Sequence, residues 1–525
     1  MSLFVEAVDG FARTQPGKAA FVNSTGQRVA YGELARWSDA LAVHLADAAG
    51  DAASPVAVYG HKSPLMVVAF LACSKSGHPY VPLDTSLPPE RIEAILGQIG
   101  HPYLIDTCGA FPAELDVLIG GRMAVSEKLL EGLAVQAGCS PESGVSPACL
   151  AGRCVQGDDT FYILFTSGST GVPKGVEVTA ANIDAFLDWM GAAFSPGEPQ
   201  VFFDRAHFSF DLSVTDLIRG LGCGDTLFAL DDPADESMQA AFEALAQSGL
   251  TFWVSTPSFA DMCLADPAFG RGLLPNVRTF FFVGETLRNE TALQLLERFP
   301  GCTVVNGYGP TESTVLVTAT EIAREVALGD EPLPVGMPKP GIRLDVLDPD
   351  TLERVPAGTP GELFIVGDTV AKGYFRMPEA TQAAFGSYPY EVPVGARAYR
   401  TGDRCFLDED GMLHFCGRFD FQVKLRGYRI ELGDIESNLC ALDAVRQACV
   451  MPVERGGILS YLRAFVQLED GAAGSFATTR MLKAALSKRL PGYMVPRTFS
   501  YVDAFPLNAN GKIDRAALAR SEAGR

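Results

Sequence analysis

The sequence predicts an α/β protein in which parallel sheets are covered by helices. Through the first 350 residues, short apolar runs typical of strands alternate with longer helical patterns. One such pair is FYILF (161–165) followed by NIDAFLDWMGAAF (182–194). Alternation of this kind is typical of parallel sheets, because a helix carries the chain back to the start of the next strand.

Two later stretches depart from this pattern, and the second of them predicts a separate, smaller domain. Between residues 361 and 420 the apolar segments shorten and glycine turns recur, which is typical of an antiparallel β unit. Beyond Asp420 the alternation returns, with the helical stretch RMLKAALSKRL at 480–490. A chain of 525 residues also exceeds one ordinary hydrophobic core. We therefore predict a large domain at 1–419 and a small one at 420–525.

Charge and residue usage exclude several classes of function. The net charge of −21 argues against nucleic acid as a partner, because a polyanion would repel the chain. The N-terminus has no basic segment ahead of an apolar run, and no apolar run is long enough to span a bilayer, so membrane insertion is not predicted. The 12 cysteines form no CxxC pair and the 6 histidines form no metal-binding motif. This usage predicts free thiols in the cytoplasm and no zinc site made by the protein.

A run of small and hydroxylated residues follows the strand at 161–165, in the stretch FTSGSTGVPKG (165–175). Its spacing matches neither a Walker A loop, nor a dinucleotide-binding GxGxxG, nor a GxSxG nucleophile turn. Small residues let backbone N–H groups and hydroxyls approach a phosphate closely, and a lysine follows at once. We therefore prefer a phosphate clamp, called the phosphate loop below, to the alternative of an ordinary turn. Its residues are Thr166, Ser167, Gly168, Ser169, Thr170, Gly171 and Lys174.

The stretch NGYGPTEST (306–314) predicts a tight turn against a ligand. Two glycines flank Tyr308, whose ring offers a flat stacking face. Glu312 is a hard oxygen ligand of the kind that Mg²⁺ uses while it binds substrate phosphates. The alternative, a plain turn, is equally compatible with this stretch.

Three further candidates carry charge. In HFSFDLSVTD (207–216), apolar and polar residues alternate, which favours a half-buried strand; the functional alternative is that Asp211 meets a substrate ammonium among aromatic rings. In YRTGD (399–403), Asp403 follows a glycine turn and is a natural acceptor for ribose hydroxyls. In NANGKIDR (508–515), Lys512 follows a strong Asn-Gly turn, where an exposed hairpin lysine is the alternative.

The order of these motifs resembles the amino-acid adenylation family of the ANL superfamily, which includes acyl-CoA synthetases. The resemblance extends from YGELARWSDALA (31–42) to Arg515 and rests on FTSGSTGVPKG, SFDLS, NGYGPTE, GELFIVG, YRTGD, GRFDFQVKLRGYRIE, LPGYMVP and NANGKIDR. It implies an N-terminal domain of two α/β subdomains plus a distorted β-barrel, and a small mobile α+β C-terminal domain. Asp420 matches the family's hinge.

The resemblance implies two half-reactions with ATP and Mg²⁺. A small amino acid and ATP give an aminoacyl adenylate, and the phosphopantetheine thiol of a carrier protein then displaces AMP. The details between the motifs are similar to the stand-alone branch that activates D-alanine for lipoteichoic acid. A cytoplasmic monomer is expected.

Roles follow by matching position. The phosphate loop would hold the β- and γ-phosphates. The segment Asn306, Gly307, Tyr308, Gly309, Pro310 and Thr311 would line the adenine and α-phosphate site. Glu312 would hold Mg²⁺, and Asp403 with Arg418 would bind the ribose. Lys512 would bridge the substrate carboxylate and the nucleotide, so that the implied catalytic residues are Lys512, Glu312 and Thr166.

The substrate pocket implied by the resemblance comprises Asp211, Val283, Gly284, Val315 and Lys512, and it departs from the pattern at one position. Members of the D-alanine branch usually carry cysteine where Val283 stands. The pocket wall that selects for the size of the substrate therefore has a different shape here. L-Alanine, glycine or serine are therefore alternative substrates, because such pockets separate one methylene by only ~1–3 kcal/mol. An acyl- or aryl-CoA ligase and an inactive nucleotide sensor are more distant alternatives. Asp211 argues against the first, and joint retention of Lys512, Glu312 and Asp403 argues against the second.

Overall fold

The protein is described by a computed structural model. The residues that it describes are 1–51, 53–139, 150–168, 171–194, 197–230, 237–455, 458–469, 474–506, 513–515 and 517–519. Contacts divide the chain into two compact units. The first comprises Met1–Thr85, Gln98–Phe165 and Gly175–Phe419, and the second comprises Ser86–Gly97, Thr166–Lys174 and Asp420–Arg525. The division of the chain into domains at 1–419 and 420–525 stays a prediction.

Strands and helices alternate along most of the chain. The strands are β1 Ala19–Asn23, β2 Arg28–Ala30, β3 Val56–Gly60, β4 Tyr80–Asp84, β5 Tyr103–Asp106, β6 Gly121–Ala124, β7 Thr160–Thr166, β8 Lys174–Thr179, β9 Val201–Asp204, β10 Thr226–Ala229, β11 Phe252–Ser255, β12 Thr279–Phe282, β13 Thr303–Tyr308, β14 Thr318–Glu321, β15 Met337–Pro338, β16 Ile342–Leu347, β17 Gly361–Gly367, β18 Gly373–Tyr374, β19 Arg397–Leu407, β20 Leu413–Arg418, β21 Gln422–Leu425, β22 Tyr428–Glu431, β23 Val445–Arg455, β24 Ile458–Leu468 and β25 Thr498–Tyr501. The helices are α1 Leu3–Thr14, α2 Tyr31–Ala48, α3 Pro64–Ser76, α4 Pro89–Ile99, α5 Glu127–Gln136, α6 Ala180–Ala193, α7 Leu212–Val214, α8 Met238–Gln247, α9 Pro257–Leu264, α10 Asn289–Arg298, α11 Arg324–Ala327, α12 Pro378–Phe385, α13 Leu432–Cys440 and α14 Phe476–Arg489.

Three sheets organise the described part of the first unit. One has nine strands in the order β15-β14-β13-β12-β11-β9-β10-β1-β2, and another has seven in the order β18-β8-β7-β4-β3-β5-β6. Their central strands pair in parallel, as in β9 with β11 and β3 with β4, which confirms the predicted parallel sheets. The third sheet, β16-β17-β19-β20, is antiparallel throughout, as predicted for residues 361–420.

Local sequence signals explain how these elements begin and end. Strand β3 is buried on both faces, as expected for a central strand between helix layers. Helix α3 starts at Pro64, where Ser63 caps it by accepting a hydrogen bond from Leu65 N at 3.2 Å. It ends at Gly77, whose φ of 92° lies in the left-handed region that favours glycine.

A buried lysine joins three helices of the first unit. Lys75 on α3 is 1% exposed and donates to Asp9 on α1 at 2.8 Å and to Asp39 on α2 at 2.7 Å. Burial opposes its charge, but the two carboxylates outweigh burial and raise the pKa of Lys75. Because the folded pKa exceeds the unfolded one, these pairs stabilise the fold fully at neutral pH and lose their contribution only in strong alkali.

Lys75→Met is therefore expected to destabilise the protein by about 3–5 kcal/mol, because it leaves two buried carboxylates without a cation. The measurement is the first thermal unfolding midpoint of the full chain at pH 7, which should fall. The matched control is the triple variant Lys75→Met/Asp9→Asn/Asp39→Asn, which should recover most of the loss. Equal midpoints for wild type and Lys75→Met would contradict the assigned role of the pairs.

The second unit contains the hairpin β21-β22 and the sheet β23-β24-β25, in which β23 and β24 are antiparallel and β24 and β25 parallel. Helices α13 and α14 share a core with the sheet, through residues such as Ile435, Leu439 and Leu482. None of the helices in the described part of the chain combines the length and the apolar character needed to cross a membrane.

Candidate active site

Asp403 is the centre of a rigid polar cluster in the first unit. It lies on β19 opposite Arg418 on β20, and Arg418 Nη1 donates to its Oδ1. The hydroxyl of Tyr308, at the end of β13, donates to Oδ2. Burial and the Asp403 charge raise the pKa of Tyr308 well above its usual value, so this phenol keeps its proton. Each carboxylate oxygen has a second lone pair, so Asp403 can still accept hydrogen bonds from a ligand's hydroxyls.

Thr401 completes this cluster from the same strand. Its Oγ1 accepts from Asp403 N at 2.9 Å, and its carbonyl accepts from Arg418 Nη2 at 3.0 Å. Asp403 is only 5% exposed. The carboxylate is therefore held in one orientation before any ligand binds, which lowers the entropic cost of binding.

The stretch 306–311 forms the carboxyl end of β13 and the turn that follows it. Gly309 is required there, because a Cβ would lie 2.5 Å from Val315 O. The side chain of Asn306 is buried; its Nδ2 donates to Pro334 O at 2.8 Å, and its Oδ1 accepts no hydrogen bond from any described residue. A buried acceptor of this kind suits an amine donor such as the exocyclic nitrogen of adenine.

Two residues after this turn have a strained backbone. Thr314 and Val315 adopt φ values of 56° and 69°, which is rare for residues with a side chain and a genuine outlier for β-branched valine. The conformation is held by Leu316 N donating to Thr314 O at 2.8 Å and by Thr314 Oγ1 donating to Thr369 O at 2.7 Å. Strain of this kind clusters at ligand sites, where the surrounding structure over-determines it.

Glu312 lies in the short 3₁₀ turn Thr311–Ser313 and is fully buried. Its Oε1 accepts from the hydroxyl of Tyr374 on β18 at 2.8 Å. A buried, oriented carboxylate fits Mg²⁺, which binds proteins through one or two carboxylates and completes its shell with water and phosphate oxygens. The residue set therefore fits the predicted metal.

Asp211 lies in a turn and not in a strand, so the strand interpretation of 207–216 is wrong. Phe210 N donates to His207 O at 2.9 Å, and the chain continues from Asp211 into α7 and then a π-helical turn, Thr215–Gly220. The alternation of apolar and polar residues arises because the turn buries Phe208 while the helix buries Val214, without a common strand face.

The fold brings Asp211 beside the NGYGPTEST turn. The hydroxyl of Thr311 donates to Asp211 Oδ2 at 2.6 Å, although the two residues are 100 positions apart. Val283 and Val315 are both buried in the same hydrophobic cluster of the first unit. Gly284, directly after Val283, has a φ of 97°, in the left-handed region that favours glycine.

The phosphate loop belongs to the second unit. Ser167 is buried there; its hydroxyl donates to Arg429 O at 3.1 Å and accepts from Glu431 N at 3.1 Å. The Gly168 carbonyl accepts from Gly171 N at 2.9 Å, and a Cβ on Gly168 would approach Val172 O to 2.0 Å, so only glycine fits. The Ser167 hydroxyl is therefore engaged with main chain of the same unit.

Thr166 and Lys174 are linked at the two ends of this loop, because Thr166 Oγ1 donates to Lys174 O at 3.4 Å. Ser169, Thr170 and Lys512 lie outside the described residues. The roles predicted for all of these residues stay predictions.

Three residues of these clusters were missed by the sequence analysis. Tyr374 and Thr401 orient Glu312 and Asp403, and Arg91 donates to Thr166 O at 3.3 Å while its Nη1 lies 3.5 Å from Asp434 Oδ2. Tyr374 and Arg91 are far along the chain from Glu312 and Thr166, so no spacing in the sequence links them. Thr401 stands within YRTGD, two residues before Asp403, but the motif by itself did not show that its hydroxyl accepts from the Asp403 main chain.

Comparison with known proteins gives two family matches. The model described as AMP-binding enzyme matches residues 8–375, and that described as AMP-binding enzyme C-terminal domain matches residues 434–512.

Individual relatives agree with these matches. The chain is 43% identical over 515 residues, 98% of both chains, to a D-alanine–D-alanyl carrier protein ligase of Bacillus licheniformis. It is 40% identical, with the same coverage, to the protein of that name from Bacillus cereus strain G9842. Among solved structures, a nonribosomal peptide synthetase protein containing adenylation and PCP domains, bound to a vinylsulfonamide inhibitor, superposes with a TM-score of 0.81. It is 28% identical, over 99% of this chain and 84% of the other.

Proposed function

This chain belongs to the AMP-binding enzyme family, and from that premise we propose that it activates D-alanine with ATP and transfers it to the phosphopantetheine thiol of a carrier protein. The observation that carries the proposal is the full-length similarity to D-alanine–D-alanyl carrier protein ligases. ATP as substrate supports a cytoplasmic location, and lipoteichoic acid is the proposed final acceptor.

In the first half-reaction, a carboxylate oxygen of the amino acid attacks the α-phosphorus of ATP. The bond from that phosphorus to the bridging oxygen breaks, and pyrophosphate leaves. We assign the substrate ammonium to Asp211, which Thr311 already orients by its 2.6 Å hydrogen bond. We assign the ribose hydroxyls to Asp403, because its carboxylate accepts from Tyr308 and Arg418 and its main-chain N–H donates to Thr401. Catalysis of this kind depends mainly on positioning and on stabilising charge.

Charge on the triphosphate is the main obstacle to this attack. Mg²⁺, when bound, would neutralise part of it, and Glu312 is the residue that would hold the ion. The phosphate loop would donate main-chain N–H groups to the β- and γ-phosphates. Lys512 would offset the charge that develops between the carboxylate and the α-phosphate.

In the second half-reaction, the thiol sulfur attacks the carbonyl carbon of the adenylate and AMP leaves. The products are a thioester and AMP, and the thiol proton goes to solvent or base. We propose that the chain turns about a hinge at Asp420 between the two half-reactions, which would withdraw Lys512. Support comes from the contact division, in which Phe419 and Asp420 fall in different units.

Val283 favours a second candidate, a ligase for another small amino acid such as L-alanine, glycine or serine. The side chain is 3% exposed and shares its cluster with Val315. Valine is β-branched and its side chain has few rotamers, so Val283 gives this wall of the pocket a fixed shape. It can therefore alter which side chain and which enantiomer of the amino acid the pocket admits.

The test is ATP–pyrophosphate exchange with Mg²⁺ across D-alanine, L-alanine, glycine, D-serine, L-serine and propionate. We expect D-alanine to give the fastest exchange, and purified carrier bearing phosphopantetheine to accept it as a thioester. Val283→Cys is the matched variant, and its preference should stay with D-alanine. Faster exchange with another amino acid would move the protein to the second candidate. Exchange with propionate alone would indicate an acyl ligase, and no exchange with any acid would indicate a nucleotide sensor.

A further inference from the structure

Two histidines and an aspartate meet in the first unit, and of the three only His207 belongs to a motif described above, as the first residue of HFSFDLSVTD. Asp84 is the last residue of β4, and His61 follows directly after β3, whose Gly60 pairs with Asp84 in the parallel register. His207 follows β9 of the nine-stranded sheet. The carboxyl ends of parallel strands are where α/β proteins commonly place ligands.

The three side chains converge on one point. His61 Nδ1 lies 2.9 Å from Asp84 Oδ2, and His207 Nδ1 lies 3.3 Å from Asp84 Oδ1. All three ligand atoms lie within 4.8 Å of one another, and the two rings meet edge to face with centroids 4.8 Å apart. The side chains of His61 and His207 are 14% and 15% exposed and that of Asp84 is 3%, so an ion can reach a site that is otherwise enclosed.

The nitrogen of His207 is poorly satisfied by protein alone. Its Nδ1 is buried and makes no hydrogen bond to any residue that the structure describes, despite its 3.3 Å approach to Asp84. This nitrogen lies close to a carboxylate oxygen but is not aligned to hydrogen-bond with it. Such an arrangement is expected when both atoms are ligands of the same metal ion.

We propose that His61, Asp84 and His207 bind a divalent transition-metal ion of the zinc class, with the fourth position open to water or another ligand. Two imidazoles and one carboxylate are ligands that such ions prefer, whereas Mg²⁺ and Ca²⁺ prefer oxygen alone. Ligand atoms at about 2.0–2.2 Å from a tetrahedral zinc lie roughly 3.3 Å apart, close to both histidine–aspartate separations here. The two histidines approach different oxygens of Asp84, so side-chain rotations would be needed to bring all three ligands onto one ion.

The surroundings are compatible with a cation. The ammonium of buried Lys62, the residue after His61, donates to Asp204 and to Ala206 O at 2.8 Å, so its charge is compensated. The ring of His207 also lies edge-on to Phe210, with centroids 6.0 Å apart. A bound ion would therefore fix the segment that leads into Asp211.

No sequence motif indicates this metal site, which is why the sequence analysis predicted no metal site made by the protein. Positions 61, 84 and 207 lie on three different strand ends, and metal motifs are recognised by short spacings along one element. Parallel pairing of β3 with β4 and the course of the chain after β9 bring the three side chains together.

The experiment measures Zn²⁺ binding to the full-length protein, without ATP, amino acid or Mg²⁺, by competition with a chromogenic chelator. We expect one tight equivalent in the wild type and affinity reduced about 100-fold or more in His61→Ala and in His207→Ala. His414→Ala is the matched control, because His414 also contacts an aspartate, Asp408 at 3.0 Å, but belongs to no three-residue ligand group among the described residues. Its Zn²⁺ affinity should equal that of the wild type.

The chain also has 12 cysteines, which could bind Zn²⁺ through their thiolates. The absorption spectrum of bound Co²⁺ distinguishes thiolate ligands from histidine and carboxylate ligands. Visible bands of a tetrahedral ion without thiolate charge-transfer absorption are expected, and these bands should vanish in His207→Ala. If an alanine variant loses its fold by circular dichroism, His207→Gln and Asp84→Asn replace it. Equal Zn²⁺ affinity in the wild type and the folded site variants would overturn the proposal, as would thiolate bands, and the cluster would then be a metal-free carboxylate shared by two imidazoles. Both readouts are independent of adenylation.

Discussion

Lys512→Ala is expected to lower the rate of adenylation by about 10²–10³-fold, the usual effect of removing one donor that stabilises a transition state. The lysine would lie between the attacking carboxylate and the α-phosphate, two anions that repel each other as the bond forms. The measurement is ATP–pyrophosphate exchange at saturating ATP and D-alanine. The loss should lie in kcat, because the interaction develops in the transition state.

Two controls separate this role from a general effect of losing a lysine. Lys488→Ala, at an exposed position of α14, should exchange pyrophosphate at the wild-type rate. Transfer from supplied D-alanyl adenylate to the carrier should change only a few-fold in Lys512→Ala, because the lysine would be withdrawn for that step. Substantial adenylation by Lys512→Ala would remove Lys512 from the mechanism.

Asp211→Asn is expected to reduce kcat/KM for D-alanine by about 30- to 1,000-fold, equivalent to roughly 2–4 kcal/mol for removing one partner of a buried charge pair. Asparagine keeps the shape of the side chain and can still accept from Thr311, so the substitution changes mainly the charge. The measurement is the D-alanine dependence of pyrophosphate exchange, with the KM for ATP nearly unchanged.

The matched variant is Thr311→Val, which removes the 2.6 Å hydrogen bond to Asp211 but leaves the carboxylate. It should cost about 1 kcal/mol, less than tenfold in kcat/KM. Propionate, which has the size of alanine but no amine, should lose nothing in Asp211→Asn. A similar fractional loss for propionate and D-alanine would show that Asp211 supports the pocket without pairing to the ammonium.

Much of the fold could be predicted because its signals are local. The run FYILF became β7 and NIDAFLDWMGAAF lies within α6 up to its end at Ala193, since apolar periodicity reports burial along one element. The same method failed at 207–216, where an alternating pattern occurs in a turn and a helix. Periodicity over so few residues does not distinguish a strand from a turn whose apolar side chains enter the core separately.

Part of the chemistry of the candidate site could also be predicted from local sequence motifs. Asp403, Glu312 and Asp211 stand in ordered motifs, so their residue types and sequence order already indicated adenylate chemistry. Their partners were not readable, because Tyr308, Tyr374 and Thr311 reach them across 95, 62 and 100 positions of sequence.

The fold class and the reaction class were thus determined by the sequence itself. They follow from its residue types, from the order of its motifs and from the alternation of strands and helices. The distances that orient Asp403 and Asp211, and the meeting of His61, Asp84 and His207, depend on which strands become neighbours in the sheets. The sheet order places β1 beside β10 and β9 beside β11. Such neighbours are selected by packing of the whole core, in which each apolar face must find a partner, and no short stretch of sequence contains that outcome.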